Sequence, residues 1–252
     1  MSSITIRRCC IGEGRPKVIV PIVERTEAAI LQKAAAFSTS SADCVEWRAD
    51  WFADALDADA LSRCLRGLRA ALGEKLLLVA FRTQAEGGKA ALTADQYAAF
   101  CAAVCASGCA DLLDIEFFSA GERLPQWIAA AHAAGVKVVC SSHDFQKTPP
   151  RAELVDRMLR IQQAGADLPK LAVMPTCRTD VLELLAATAE MADHHPETPV
   201  ITMSMGALGA VSRLCGEAFG SAMTFANPGT ASAPGQVPLA VVDTVLDSLR
   251  LS

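Results

Sequence analysis

A lysine inside an apolar segment is the first feature of this sequence that indicates chemistry. Lys170 lies in LPKLAVMP (168–175), where a strand of a parallel barrel is expected to carry apolar side chains. Twenty-seven residues upstream, the apolar segment VVCSSHDF (138–145) places His143 at the C-terminal end of another predicted strand. Because a buried lysine can lose its charge and a nearby histidine can gain one, this pair suits imine formation with a ketone.

The elements that would position these two residues follow a regular alternation of apolar runs and amphipathic helical runs, which is typical of a parallel sheet with crossover helices. Eight strands are predicted at 17–23, 44–50, 75–83, 112–117, 137–144, 168–174, 199–205 and 222–226. Helices are predicted at 25–39, 57–72, 93–108, 122–134, 150–164, 178–194, 209–218 and 237–250. This pattern predicts an α/β fold, a (β/α)8 TIM barrel forming a single domain over 1–252, with a short N-terminal β-hairpin around Gly12 closing the bottom.

The composition excludes several classes of function. The 23 basic and 28 acidic residues give a net charge of -5, and no run of Lys or Arg offers a path for phosphates, so no nucleic acid is expected as a partner. The N-terminal segment MSSITIRRCC lacks the apolar stretch of a signal peptide. No apolar run approaches the roughly 18 residues of a spanning helix, so no membrane contact and a cytoplasmic protein are expected.

The ten cysteines do not indicate a metal site or a disulfide scaffold. The chain has no C-x-x-C pair and is long enough to build a core without disulfide bonds. Cys101, Cys105 and Cys109 recur every four residues, which helical core packing explains better than a ligand face. We therefore expect no metal.

Polar side chains should gather at the C-terminal ends of the barrel strands, where barrel enzymes place their chemistry. Side chains two residues apart on a strand share a face. The residues that this rule puts on inner faces are Glu46, Arg48 and Asp50, then Arg82, Asp114 and Glu116, then Ser141, His143 and Lys170. Any one of them alone could belong to a structural ion pair. Several ions in one core must pair with each other or bind a ligand, so together they favour a functional site.

Seven segments, in order and at compatible spacing over nearly the whole chain, resemble type I 3-dehydroquinate dehydratase. They are EWRAD (46–50), FRT with EGG (81–88), DIE (114–116), SSHDF with TP (141–149), PKLAVMP (169–175), MSMG with SR (203–213), and FGSAMTF with SAPGQ (219–236). The set is far more specific than any single motif. The resemblance implies a lyase of the shikimate pathway or of quinate breakdown, active as a homodimer.

The resemblance also implies a mechanism and three catalytic residues. Lys170 would form a Schiff base with the ketone of 3-dehydroquinate, and His143 would act as general base and general acid in forming 3-dehydroshikimate. Glu86 would orient and charge His143. No cofactor is implied, because the lysine itself supplies the electron sink.

The remaining site residues implied by the resemblance bind the substrate. Arg213 would hold its carboxylate, and Glu46, Arg48 and Arg82 would contact its hydroxyl groups. The other members of the set are Ser232 and Gln236 on a lid over 227–236, and Met203, Met205 and Phe225 as an apolar wall. Pro21 departs from relatives that carry a serine on the first strand, which puts a hydroxyl contact from that strand in doubt.

Two other functions stay open from the sequence. A class I aldolase would share the lysine and the barrel, and MSMGALGA (203–210) could offer backbone amides to a phosphate. A barrel that only binds a metabolite would use Lys170 merely to pair with an acid. The joint presence of Lys170, His143 and Glu86 argues against this second alternative.

Overall fold

A parallel sheet curls into a barrel in the computed structural model, which describes residues 2–229 and 232–251. The (β/α)8 barrel predicted from the sequence is confirmed. In the sheet, neighbouring strands follow the order β11, β10, β3, β4, β5, β6, β7, β8, β9. The strands are β1 (Ile4–Ile6), β2 (Cys9–Ile11), β3 (Lys17–Ile22), β4 (Cys44–Arg48), β5 (Leu76–Ala80), β6 (Leu112–Glu116), β7 (Lys137–Asp144), β8 (Leu168–Val173), β9 (Ile201–Ser204), β10 (Met223–Asn227) and β11 (Val237–Pro238).

The barrel closes between β9 and β10. A single parallel bridge joins Val200 to Ser221, and the amide of Ala222 donates to the Val200 carbonyl at 2.8 Å. The Ser221 hydroxyl adds a contact, because it accepts from the amide of Thr202 at 3.0 Å. β10 then pairs with β3, so the described strands form a continuous wall around the interior.

Crossover helices cover the outside of the barrel. They are α1 (Glu27–Ser38), α2 (Ala58–Leu72), α3 (Ala94–Ala106), α4 (Phe117–Ala120), α5 (Leu124–Ala133), α6 (Arg151–Gln163), α7 (Arg178–His194), α8 (Gly206–Gly209), α9 (Gly216–Phe219) and α10 (Leu239–Ser248). Side-chain caps fix several starts: Asp57 accepts from the amide of Ala60 at 2.8 Å, and Thr93 and Gln96 form a capping box. Within the described residues, no helix is long and apolar enough to span a bilayer.

Apolar side chains fill the lower barrel, and the N-terminal hairpin covers that end. Buried residues at the starts of the strands, including Cys44, Leu76 and Leu112, pack together in the interior. Ile11 of β2 joins this cluster, while Ile4 and Ile6 of β1 pack against it. β1 and β2 pair antiparallel, so the hairpin predicted at the bottom is confirmed. Polar side chains are thereby left to the opposite end, where the strands terminate.

The helix predicted over 209–218 is wrong. The chain instead forms α8, a 3-10 turn over Ala210–Arg213 and α9. Ser212 explains the break, because its hydroxyl donates to the Gly209 carbonyl at 2.7 Å and accepts from the amide of Ser204 at 2.9 Å. These bonds tie the turn to the end of β9, and the turn carries Arg213 into the barrel mouth.

Two predicted strands end two or more residues earlier than expected, because the chain turns at the edge of the site. β4 gives way to a 3-10 turn over Ala49–Trp51, and a second 3-10 turn covers Gln84–Glu86 after β5. β7 has the predicted bounds. The early turns carry Asp50 and Glu86, and both residues are buried.

Candidate active site

A cavity of about 200 Å³ opens at the C-terminal ends of the barrel strands. The twelve residues that the sequence predicted for the site all line it. They are Glu46, Arg48, Arg82, Glu86, His143, Lys170, Met203, Met205, Arg213, Phe225, Ser232 and Gln236. The structure therefore brings together residues from β4, β7, β8, β9 and β10 and from three loops.

Lys170 projects from the middle of β8 and is only 2% exposed. Its ammonium nitrogen donates to Asp114 Oδ2 at 3.1 Å and lies 3.8 Å from Glu46 Oε1. The same nitrogen stands 4.7 Å from the centre of the Phe225 ring. A lysine with these neighbours is held at a fixed place in the cavity wall.

Arg82 joins Lys170 to a buried network of carboxylates. Its guanidinium contacts Asp114 Oδ2 at 2.9 Å and Glu116 Oε1 at 3.0 Å, and it donates to Ser141 Oγ at 2.9 Å. Burial alone would raise the pKa of Asp114, but Arg82 and Lys170 outweigh it and lower the pKa to about 2. These two cations thus favour the ionised form of Asp114.

His143 is oriented by Glu86. Glu86 Oε2 lies 2.8 Å from His143 Nδ1 and accepts from the His143 amide at 3.0 Å, which leaves Nε2 for a ligand. Burial, followed by Arg82 and Lys170, lowers the pKa of His143 well below its usual value. Burial also raises the pKa of Glu86 to about 8. The orienting contact is present. These pKa shifts favour the neutral form of each group, and the expected charging of His143 by Glu86 stays a prediction.

The loop that carries Glu86 is anchored by Asp50. The Asp50 carboxylate accepts from the amides of Arg82 at 3.3 Å and Lys89 at 3.2 Å, which are the two ends of the loop. Between them, Gly88 approaches so closely that a Cβ would lie 1.8 Å from the Arg82 carbonyl oxygen. Only glycine fits there, so the loop has one tight path and Glu86 a defined position.

Arg48, predicted to contact the substrate, already pairs with a carboxylate of the protein. It forms a bidentate pair with Asp50, with Nε to Oδ1 at 2.8 Å and Nη2 to Oδ2 at 2.9 Å. Arg48 still lines the cavity. Arg48 therefore offers hydrogen bonds to a ligand while its charge is already balanced.

Arg213 is the cation of the cavity whose charge is not balanced in the described part of the chain. It is 1% exposed, donates to the Pro234 carbonyl at 3.1 Å and contacts Met203 Sδ at 3.5 Å. Its Nε finds no hydrogen-bond partner among the described residues. Burial lowers the pKa of Arg213 to about 10, which still leaves it charged at neutral pH. Such a group is suited to an anionic ligand.

Ser232 and Gln236 are joined to each other in the segment predicted as a lid over 227–236. Gln236 Oε1 accepts from the Ser232 amide at 2.8 Å, and its Nε2 donates to the Ser232 hydroxyl at 3.1 Å. Both side chains line the cavity. Thr230 and Ala231 of this segment lie outside the described residues.

Strand alternation placed Asp114, Glu116 and Ser141 on inner faces but did not reveal their shared contact with Arg82. Phe145 was missed as a cavity residue, although it stands two positions after His143 and its ring stacks at 6.5 Å from the imidazole. Pro21 is buried on β3 beside Glu46 and borders a separate small cleft, so it supplies no contact to this cavity.

No group of three or more His, Cys, Asp or Glu side chains within 2–229 and 232–251 is arranged to hold a metal ion. Cys101 and Cys105 lie on α3 as expected, while Cys109 follows the end of that helix.

Sequence comparison identifies relatives of the whole barrel. The sequence model of the family described as Type I 3-dehydroquinase matches residues 18–252. The chain belongs to this family. The 3-dehydroquinate dehydratase of Salmonella agona is 42% identical over 250 residues, which are 99% of each chain.

Solved structures of type I 3-dehydroquinases superpose closely on the barrel. The enzyme of Clostridium difficile, solved with covalently modified comenic acid, has a TM-score of 0.95 at 40% identity and covers 98% of both chains. The 3-dehydroquinate dehydratase of Geobacillus kaustophilus has a TM-score of 0.94 at 38% identity, covering 98% of this chain and 96% of its own. Membership of the 3-dehydroquinase family thus agrees in sequence and in fold.

Proposed function

We propose that this protein dehydrates 3-dehydroquinate to 3-dehydroshikimate through a Schiff base on Lys170. The observation that carries the proposal is one cavity lined by a buried lysine, a histidine held by a carboxylate and a buried arginine with no acid partner among the described residues. A ketone, an acidic C–H bond and a carboxylate on one substrate would match these three groups. The names of the full-length relatives support the same substrate.

In the first stage, Lys170 attacks the C3 ketone, and loss of water gives a protonated imine. Its positive nitrogen draws electrons from the ring and acidifies the C2 proton. His143 Nε2 removes that proton, because Nδ1 is already engaged by Glu86 at 2.8 Å. The burial that keeps His143 neutral suits this role, since only the neutral imidazole can accept a proton.

In the second stage, the protonated His143 returns its proton to the C1 hydroxyl group, which leaves as water. The electrons of the neutral enamine form the new double bond and regenerate the protonated imine. Hydrolysis by one water then releases the enone and restores the Lys170 ammonium. The overall change is 3-dehydroquinate to 3-dehydroshikimate and one water, so no redox partner is needed.

Arg213 is proposed to bind the substrate carboxylate, with Arg48, Arg82 and Glu46 contacting its hydroxyl groups. Arg48 and Arg82 already have carboxylate partners, which favours neutral hydroxyls as their ligands. Met203, Met205 and Phe225 are nearly fully buried and would keep bulk water from the imine. Ser232 and Gln236 would add hydrogen bonds from the loop above the cavity.

A phosphate-binding aldolase is less well supported. The amide of Met205 donates to the Val173 carbonyl at 2.8 Å, and the amide of Gly206 donates to the Pro234 carbonyl at 3.2 Å. These two amides of the MSMGALGA segment already have hydrogen-bond partners, so they are not free to bind a phosphate.

The single-domain organisation, the homodimer and the cytoplasmic location stay predictions.

Borohydride trapping tests the proposal directly. Purified protein is mixed with 3-dehydroquinate and reduced, and the intact mass and the modified peptide are measured, while an unquenched sample is followed by the absorbance of the enone. We expect a reduced adduct on Lys170 and enone formation, and neither in Lys170→Met. Product without an adduct would reject the Schiff base, and absence of both would reject the substrate.

A further inference from the structure

The buried carboxylate of Asp114 contacts the nitrogen that the proposed reaction uses. Asp114 is 1% exposed. The described residues that line the cavity do not include it. Its Oδ2 nevertheless lies 3.1 Å from Lys170 Nζ. The substrate would approach Lys170 from the cavity, so Asp114 meets the nitrogen from the protein side.

We propose that Asp114 is the counter-ion of the protonated imine and thereby acts as a catalytic residue. This inference rests on the proposed function, since it needs a Schiff base at Lys170. Asp114 would stabilise the positive nitrogen whenever it forms and would accept its remaining N–H bond.

The charge on nitrogen explains why one carboxylate can serve the whole cycle. The Lys170 ammonium first gives one proton to His143 and attacks the ketone as the amine; that proton and a second one from nitrogen then leave with the ketone oxygen as water. The third proton and the positive charge stay on nitrogen. Asp114 therefore faces a cationic N–H donor in the resting site and in the imine, and its position need not change between them.

The neighbours of Asp114 are arranged to hold it in this position. Ser141 donates its hydroxyl to Oδ1 at 2.6 Å, and Arg82 contacts Oδ2 at 2.9 Å. Both oxygens are thus fixed before the substrate arrives, so no reorganisation is required when the imine forms. Glu46 Oε1 is farther from Lys170 Nζ, at 3.8 Å, and faces the cavity, where a substrate hydroxyl can engage it.

Elimination is the step that should depend most on this counter-ion. Loss of the C2 proton converts the cationic imine into a neutral enamine, and departure of the C1 hydroxyl restores the cation. A negative charge beside the nitrogen stabilises the protonated imine that precedes the enamine and the protonated imine that follows it. It should therefore raise the fraction of enzyme held as protonated imine and speed departure of the hydroxyl group.

The test compares Asp114→Asn with Glu116→Gln. Both variants remove one negative charge from the partners of Arg82, but only Asp114 contacts Lys170 Nζ. The readouts are kcat, KM, and the fraction of protein trapped by borohydride at saturating 3-dehydroquinate.

We expect Asp114→Asn to lower kcat about 100-fold and to lower the trapped fraction several-fold, as for loss of one preorganised charge in a buried site. Glu116→Gln should act through Arg82 and raise KM, while the trapped fraction at saturation stays near that of the wild type. Equal trapped fractions in the two variants would overturn the counter-ion role.

Ser141→Ala keeps the test decisive if Asp114→Asn does not fold. It preserves the charge but removes the hydrogen bond that orients Asp114, so kcat and the trapped fraction should both fall by a smaller factor, about tenfold for kcat. An unchanged kcat and trapped fraction in Ser141→Ala would also contradict the proposal. If the wild type itself forms neither adduct nor product, the proposed function fails, whereas wild-type adduct with equal variants rejects only the role of Asp114.

Discussion

Replacing Arg213 by methionine should stabilise the substrate-free protein while it weakens catalysis. Burial lowers the pKa of Arg213 to about 10, well below the usual range of a guanidinium, which corresponds to roughly 3 kcal/mol of cost for keeping the charge inside the barrel. The variant also loses the contacts with the Pro234 carbonyl and Met203 Sδ, worth about 1–2 kcal/mol together. The net gain of about 1–2 kcal/mol predicts a rise in Tm of about 3–6 °C.

Catalysis should change in the opposite direction. A guanidinium that binds a carboxylate with two charge-assisted hydrogen bonds contributes about 3–4 kcal/mol in a buried site. Its loss predicts a fall in kcat/KM of roughly 100- to 1000-fold. Arg213→Lys should lie between the wild type and Arg213→Met, because an ammonium keeps the charge but cannot present two parallel donors.

Arg48→Met is the matched control for this prediction. It also removes a buried arginine, but it leaves the buried Asp50 carboxylate without its bidentate partner. This variant should therefore lose about 3–5 kcal/mol of stability, in contrast to Arg213→Met. The assays are thermal unfolding without substrate and enone absorbance with 3-dehydroquinate. A lower Tm for Arg213→Met together with near wild-type kcat/KM would refute the view that Arg213 is a cation without an acid partner that binds the substrate carboxylate.

Two further predictions concern the loop that carries Glu86. The pKa of Glu86 is raised to about 8 from 4.5, so the folded state binds more protons than the unfolded state in this range, and stability falls as pH rises through it. The lowered pKa of His143 opposes this only below its unfolded value of 6.5. Between pH 6.5 and 8, urea unfolding should therefore show the wild type losing up to about 2 kcal/mol relative to Glu86→Gln, and parallel curves would contradict the buried acid. Gly88→Ala should lower Tm and should lower kcat/KM at least tenfold, because the added Cβ would collide with the Arg82 carbonyl. An unchanged Tm and kcat/KM would show that this path of the loop is not required.

The sequence predicted the strand-borne part of the site because the pleat of a strand fixes where its side chains point. Glu46, His143 and Lys170 lie on β4, β7 and β8, and knowledge of the strand direction was enough to place them at one end of the barrel. The same rule identified Asp114. Its partners could not be predicted, because the choice between Arg82, Lys170 and solvent depends on distances across three strands.

Arg213 and the lid residues were accessible only through the resemblance to a family. Arg213 sits on a 3-10 turn whose path depends on the bonds of Ser212, and periodicity predicted a helix there instead. Ser232 and Gln236 lie on a loop whose polar and small residues fit many conformations. Loop geometry is determined by contacts that a local pattern does not contain.

The distribution of charge in the cavity argues for one orientation of the substrate. Lys170 and Arg82 face the carboxylates of Asp114 and Glu116, so their half of the site is electrostatically balanced before a ligand enters. Arg213 follows β9 and has no such partner among the described residues. An anionic substrate therefore gains most by placing its carboxylate at Arg213. Lys170 lies on β8, the neighbour of β9, so in the proposed reaction this placement would set the ring of the substrate over Lys170, where its ketone could be attacked.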